Sequence, residues 1–261
     1  MDPRNVKENE WLFRQVFGAA AELSGSEDAK TFVMCIYSTS VAPYEYVAAN
    51  VDECTAGMKL PIYVGRSRSG DVAYDMLEHP HLLIAGETGS GKSVALRSVL
   101  TTLIRLVPEL ELYCADMKRS EFHLFRGVAR DVVMDASGLK RIVMKLRREL
   151  RARGDLLDRH EVAHVNDLPE WERPPYIVLA VDEVALLKKE MDIMEGIDEI
   201  STIGRALGVF LILSMQRPDA TVLDGKLKNN LTVRMAFRHA DEINSRITIG
   251  SGEAAEIKQL I

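Results

Sequence analysis

The eight residues Gly86-Glu87-Thr88-Gly89-Ser90-Gly91-Lys92-Ser93 constrain this chain more than any other stretch. They match G-x-x-x-x-G-K-[ST], a pattern that works only where a strand passes through a glycine-rich turn into a helix. The context is right. His81–Ala85 is a short apolar run before the motif, and residues 92–107 have helical period after it, with Pro108 following. Glycines let backbone N–H groups wrap phosphate oxygens, and the following helix adds the positive end of its dipole. In this reading Gly86, Glu87, Thr88, Gly89, Ser90, Gly91, Lys92, Ser93 and Val94 cradle ATP. Lys92 reaches the β- and γ-phosphates, and the Ser93 hydroxyl ligates Mg²⁺.

The rest of the chain repeats the strand–helix alternation. Leu110–Ala115, Asp131–Met134, Tyr176–Val181, Val209–Ser214 and Thr232–Phe237 read as strands, and residues 137–160 and 192–206 as helices. Near-continuous apolar strands separated by helices predict an α/β fold, a mainly parallel sheet covered on both faces. Residues 1–75 form an N-terminal segment leading into a motor domain over 76–261. That segment reads as an amphipathic helix over 7–24, a strand over Thr31–Tyr37, and a β-hairpin pairing Leu60–Val64 with Val72–Tyr74.

Two further strand ends carry chemistry. Ile177–Val181 leads into Asp182-Glu183. Behind a buried strand and downstream of a P-loop, the aspartate holds Mg²⁺ through water and the glutamate orients and deprotonates the attacking water. That pair favours hydrolysis over transfer to a small molecule. Val209–Met215 delivers Gln216 to the edge where ligands sit in open α/β sheets. From spacing alone Gln216 reads equally as a γ-phosphate sensor and as a turn residue.

These blocks together resemble the motor domain of the FtsK/SpoIIIE family of double-stranded DNA translocases. The resemblance rests on His79–Ser93, Asp116-Met117-Lys118, Val181-Asp182-Glu183, Gly204-Arg205-Ala206-Leu207-Gly208, Gln216-Arg217-Pro218, Leu227-Lys228-Asn229-Asn230, Arg234-Met235-Ala236-Phe237 and Ser245-Arg246. It implies a RecA-like ATPase working as a homo-oligomeric, hexameric ring on double-stranded DNA. In it Arg205 matches the arginine finger that enters a neighbour's site, although by sequence alone it reads as a solvated helix end. Arg217, Lys228 and Arg246 match positions that line the channel; Lys226 and Arg238 are neighbours that could join them. Lys118 resembles a residue near the nucleotide. The alternative is a conjugative coupling or type VII secretion-like ATPase that moves a nucleoprotein or a protein. Met215 stands where the family has Thr, Asn244 where it has Asp, and the family's distal segment is missing, which implies a divergent member truncated at its C-terminal edge.

Charge and composition are compatible with this. The net charge is −6, so a DNA contact must be a local basic track rather than a generally positive surface. No apolar run approaches the roughly 20 residues that span a bilayer, which reads as a soluble, cytoplasmic chain. Cys35, Cys54 and Cys114 follow no metal-ligand spacing and read as reduced thiols. Lys140, Arg141, Lys145, Arg147, Arg148, Arg151 and Arg153 crowd one helix. Its apolar stripe of Ile142, Val143, Leu146 and Leu150 makes the charges a solvated or partner-facing surface.

Overall fold

The computed structural model describes residues 9–17, 21–24, 33–36, 45–68, 70–223 and 225–257. The chain divides into two units, residues 1–47 with 66–70, and residues 48–65 with 71–261. In the first, helix α1 (Glu10–Phe17) is followed by strands β1 (Ala21–Ser24) and β2 (Val33–Ile36). The helix expected over 7–24 is thus shorter, and its last residues are a strand. Ala21–Ser24 pairs antiparallel with Val33–Ile36, and that cross-strand pairing overrides helical periodicity. Residues 31, 32 and 37 of the expected strand lie outside the described residues.

The second unit begins with helix α2 (Ala48–Cys54), which the sequence did not announce, and most of a hairpin of β3 (Pro61–Ser67) and β4 (Gly70–Asp75), whose residues 66–70 count with the first. The main sheet follows: β5 (Leu82–Ala85), helix α3 (Lys92–Leu106), β6 (Glu111–Asp116), β7 (Asp131–Val133), helix α4 (Ala136–His160), β8 (Ile177–Asp182), helix α5 (Met191–Leu207), β9 (Val209–Met215), helix α6 (Gly225–Asn230), β10 (Val233–Ala236) and helix α7 (Glu242–Ile249). The strand order is β10-β5-β9-β8-β6-β7, and every pair is parallel. Strand β9 therefore stands between the P-loop strand β5 and the acidic strand β8.

Side chains alternate along each strand, so the two faces bury different sets. Ile177, Leu179, Val181, Leu211 and Leu213 meet Leu139, Ile142, Leu146 and Leu150 of α4 and Ile193, Ile197 and Ile200 of α5. Val178, Ala180, Phe210 and Ile212 meet Leu96, Leu100 and Leu103 of α3, together with Leu60, Ile62 and Met76 around the hairpin. The basic character of α4 has a local explanation. Lys140 pairs with Asp192, and Arg147 with Glu195 and Glu199, so part of its charge faces the acidic side of α5. His81, at the start of β5, is buried and accepts the Leu211 N–H through Nδ1 at 3.0 Å. Burial pushes its pKa down to about 4, which keeps the ring neutral.

Gly204 sets how closely α5 approaches the strand that follows it. A Cβ there would stand 2.2 Å from the Val209 carbonyl oxygen and 3.3 Å from its carbonyl carbon. Backbone cannot yield as a side-chain tip can. Gly204→Ala is expected to cost about 1–3 kcal/mol, the usual range for overpacking, measured by urea unfolding. Unchanged stability would show that α5 is free to shift.

Candidate nucleotide site

Because all six main strands are parallel, their C-terminal ends share one edge, where ligands bind in open α/β sheets. The loop from Gly86 to Gly91 leaves β5 there. Gly89 and Gly91 have φ of 81° and 97°, a region glycine enters without steric cost. Gly86 is fixed by proximity: a Cβ would come within 2.5 Å of the Phe237 Cβ. The loop ends in the N-terminus of α3, whose first N–H groups have no intrahelical partner. Ser93 is half-buried in that first turn, and Val94 is exposed.

Lys92 points inward and is 4% exposed. Its ammonium donates to Asp182 Oδ1 at 3.1 Å and to the Ser214 hydroxyl at 2.6 Å, and Ser214 donates to the same carboxylate oxygen at 2.8 Å. Ser214 stands near the end of β9, so it sits between the P-loop strand and the acidic strand. The sequence reading missed it. The available signal was a single polar residue in the apolar run of β9, next to the departure at Met215. Met215 itself is buried on the other face.

Glu183 follows with φ 57° and ψ 57°, a left-handed conformation that costs a non-glycine residue energy and is concentrated at functional positions. Its carboxylate is buried. One oxygen accepts from Lys118 Nζ at 2.6 Å and the other from the Gln216 backbone N–H at 3.1 Å. The Gln216 side chain is 3.3 Å from the Thr88 hydroxyl. Asp116, from the same sequence block as Lys118, does something else. Its buried carboxylate accepts the N–H groups of Ser120, Glu121 and Phe122, which shapes the loop after β6. A cleft of about 1090 Å³ is lined by Glu87, Thr88, Lys118, Glu183, Gln216 and Arg238, among others.

The remaining candidates divide. Arg205 is in the last turn of α5, exposed, with its Nε bonded to the Leu77 carbonyl at 3.0 Å. That turn leads into the start of β9, at the opposite edge of the sheet. Seven residues of β9, at about 3.3 Å each, put roughly 20 Å between the edges. Arg153, 3% exposed, donates to the carbonyls of Leu207, Gly208 and Pro175, and so clamps the end of α5. Lys228 and Arg246 are close, with Lys228 Nζ 3.3 Å from the Arg246 carbonyl oxygen. Arg234 donates to the Lys228 carbonyl at 2.7 Å. Burial, and then Arg234, hold the Lys228 ammonium below the usual lysine pKa. Arg217 is exposed at the cleft mouth. Lys226 is not with them: two residues from Lys228 on α6, it faces a hollow lined by Glu195, Asp198 and Glu199. Arg238 is not with them either. It pairs with Glu87 of the P-loop, because it follows two residues after β10, the strand directly beside β5.

A parallel sheet with one strand between the P-loop strand and a strand ending in two carboxylates defines a RecA-like P-loop ATPase. Comparison with known proteins narrows the class. Residues 47–170 match the FtsK/SpoIIIE family profile. DNA translocase FtsK of Staphylococcus epidermidis is 31% identical over 226 residues, 79% of this chain and 28% of that protein. That of Staphylococcus aureus is 32% identical over 219 residues, 76% and 28% respectively. Among solved structures, the pCW3 conjugation coupling protein TcpA, a monomer form with ATPγS, has a TM-score of 0.76 at 25% identity, covering 99% of this chain and 77% of that one. The cytoplasmic domain of the Thermomonospora curvata type VII secretion ATPase EccC has a TM-score of 0.69 at 26% identity, covering 77% and 26%. The chain belongs to the FtsK/SpoIIIE family, and it spans little more than a quarter of the length of these curated relatives. Among the described residues, no helix is long and apolar enough to cross a membrane.

The buried ion pair gives a direct test. Lys92→Ala leaves the Asp182 carboxylate buried without its cation. Loss of one partner of a buried pair typically costs about 3–5 kcal/mol, and Ser214 offsets part of that here. Nucleotide-free Lys92→Ala is expected to unfold at clearly lower urea than wild type, and Lys92→Ala/Asp182→Asn to recover part of the difference. Equal midpoints for all three proteins would mean that the pair does not stabilise the fold.

Proposed function

We propose that this chain is the motor part of an ATP-driven double-stranded DNA translocase that hydrolyses ATP between the copies of a ring, as a hexamer. One observation carries the reading: the P-loop, Asp182, Glu183 and Gln216 meet at one edge of the sheet, while Arg205 is held at the other. An arginine on the far edge cannot serve its own nucleotide, but it can serve that of a copy packed edge to edge.

In this mechanism ATP draws Lys92 from Asp182 and Ser214 to its β- and γ-phosphates. Mg²⁺ takes few protein oxygens and keeps water and phosphate as its other ligands; the Ser93 hydroxyl and the Asp182 carboxylate fit that donor set, and the ion neutralises charge on the phosphates when bound. Glu183 orients and deprotonates the attacking water, with Lys118 and the Gln216 N–H positioning its carboxylate. Gln216 reports the γ-phosphate, and a neighbour's Arg205 stabilises the charge of the transition state. Cleft residues Arg238, His239, Ala240 and Asp241 run straight into α7, which carries Arg246 beside Lys228. Movement of the cleft wall therefore moves a basic cluster, and contacts of that cluster with phosphates grip DNA without reading its sequence. A second reading, coupling of DNA to a conjugation apparatus, draws support from the likeness to TcpA over 99% of this chain.

Double-stranded DNA is expected to raise ATP turnover several-fold, and the paired change Lys228→Ala/Arg246→Ala to remove the stimulation while leaving basal turnover. Hydrolysis indifferent to DNA in the assembled protein would overturn the translocase reading. Glu183→Gln should bind ATP while turning over at least about 100-fold more slowly, the low end for loss of a general base. Arg205→Ala and Lys92→Ala should each be inactive alone and regain turnover when mixed, because each supplies what the other lacks. No recovery at any mixing ratio would exclude the role in trans.

A further inference from the structure

We infer that Arg238 is a nucleotide-binding residue in cis, which exchanges the Glu87 carboxylate of the P-loop for the diphosphate portion shared by ATP and ADP. The inference rests on the nucleotide-site reading above and adds a residue to it.

A glutamate within a phosphate-binding loop is a like charge beside an incoming polyanion. Its carboxylate is neutralised by the Arg238 guanidinium. The backbone around Arg238 is tied to the loop. The Phe237 N–H donates to the Ala85 carbonyl at 2.8 Å and the Glu87 N–H to the Arg238 carbonyl at 2.9 Å. The absent Cβ at Gly86 lets Phe237 pack against the loop. Only the Arg238 side chain is left to move. Its pairing with Glu87 goes through Nη2, and its Nε–H is buried with no hydrogen-bond partner. The next residue, His239, is 3% exposed, lines the same cleft, and has an Nε2 that is likewise buried and unpartnered. Buried polar atoms without partners are uncommon and call for a reason. A guanidinium presents a planar fork of donors that matches phosphate oxygens, so a phosphate taken in place of Glu87 would satisfy the orphaned Nε–H.

Topology selects which phosphates. Strand β10 flanks β5 on the side away from β9 and β8. Glu183 and Gln216, which would face the γ-end, are on the β9 and β8 side. A phosphate chain with its γ-end at Glu183 and Gln216 would run its α-end toward Arg238.

Calorimetric titration of ATPγS and of ADP into wild type, Glu87→Gln, Arg238→Ala and Glu87→Gln/Arg238→Ala tests this. Loss of a charge-assisted bond predicts affinity about tenfold or more weaker for Arg238→Ala, equally for both nucleotides, and the same loss when Glu87 is already Gln. Arg238→Lys, which keeps charge without the fork, should recover only part of it and covers the case in which the alanine variant fails to fold. Arg238→Ala as tight as wild type, or no further loss in the Glu87→Gln background, would reduce Arg238 to a brace for the loop and overturn the inference. Loss for ATPγS alone would move the contact to the γ-phosphate and overturn the assignment to the diphosphate. Wild type that binds neither nucleotide, or Lys92→Ala that binds both as tightly as wild type, would instead sink the nucleotide-site reading beneath it.

Discussion

A lysine ammonium with 4% exposure has to be paired, and the arrangement that pairs it organises this molecule. Lys92 starts helix α3, Ser214 is the last residue but one of β9 and Asp182 ends β8. For their polar atoms to meet within hydrogen-bond distance, three strands must end at the same height, in parallel, with β9 in the middle. The apolar faces of the strands supply the energy of the sheet, but this buried contact fixes which strand ends stand side by side. It also leaves Lys92, Asp182 and Ser214 desolvated with their polar atoms paired.

The same edge concentrates other departures from relaxed structure. Glu183 is held in a left-handed conformation between Lys118 and the Gln216 N–H. Gly86 lies too close to Phe237 for any side chain. The opposite edge is held by side chains that bond backbone carbonyls. Arg153 bonds the carbonyls that end α5, and Arg205 is anchored through its Nε to Leu77. The roughly 20 Å run of β9 between the edges is the physical reason that a single copy does not bring its own arginine to its own P-loop.

Much of the main sheet was legible in the sequence. Parallel strands buried on both faces must be apolar throughout, so Ile177–Val181 and Val209–Leu213 announce themselves, and α4 shows its stripe of Ile142, Val143, Leu146 and Leu150. The misses have two causes. Helices α2, α6 and α7 have 7, 6 and 8 residues, too short for periodicity to stand out. Residues 21–24 continue a helical pattern, yet they pair with 33–36 because a ladder between distant residues outweighs local preference.

By itself the sequence determined the P-loop, the acidic strand end and the α/β class, because phosphate binding and strand burial restrict residue types locally. Tertiary structure alone decided the company each charge keeps. Ser214 joined Lys92 and Asp182 because β9 lies between their strands. Asp116 turned away to hold a loop. Lys226 parted from Lys228 because two residues on a helix face different ways, and Arg238 went to Glu87 because β10 lies against β5. Strand order and helix facing are fixed by packing between distant segments, which no short stretch of sequence encodes.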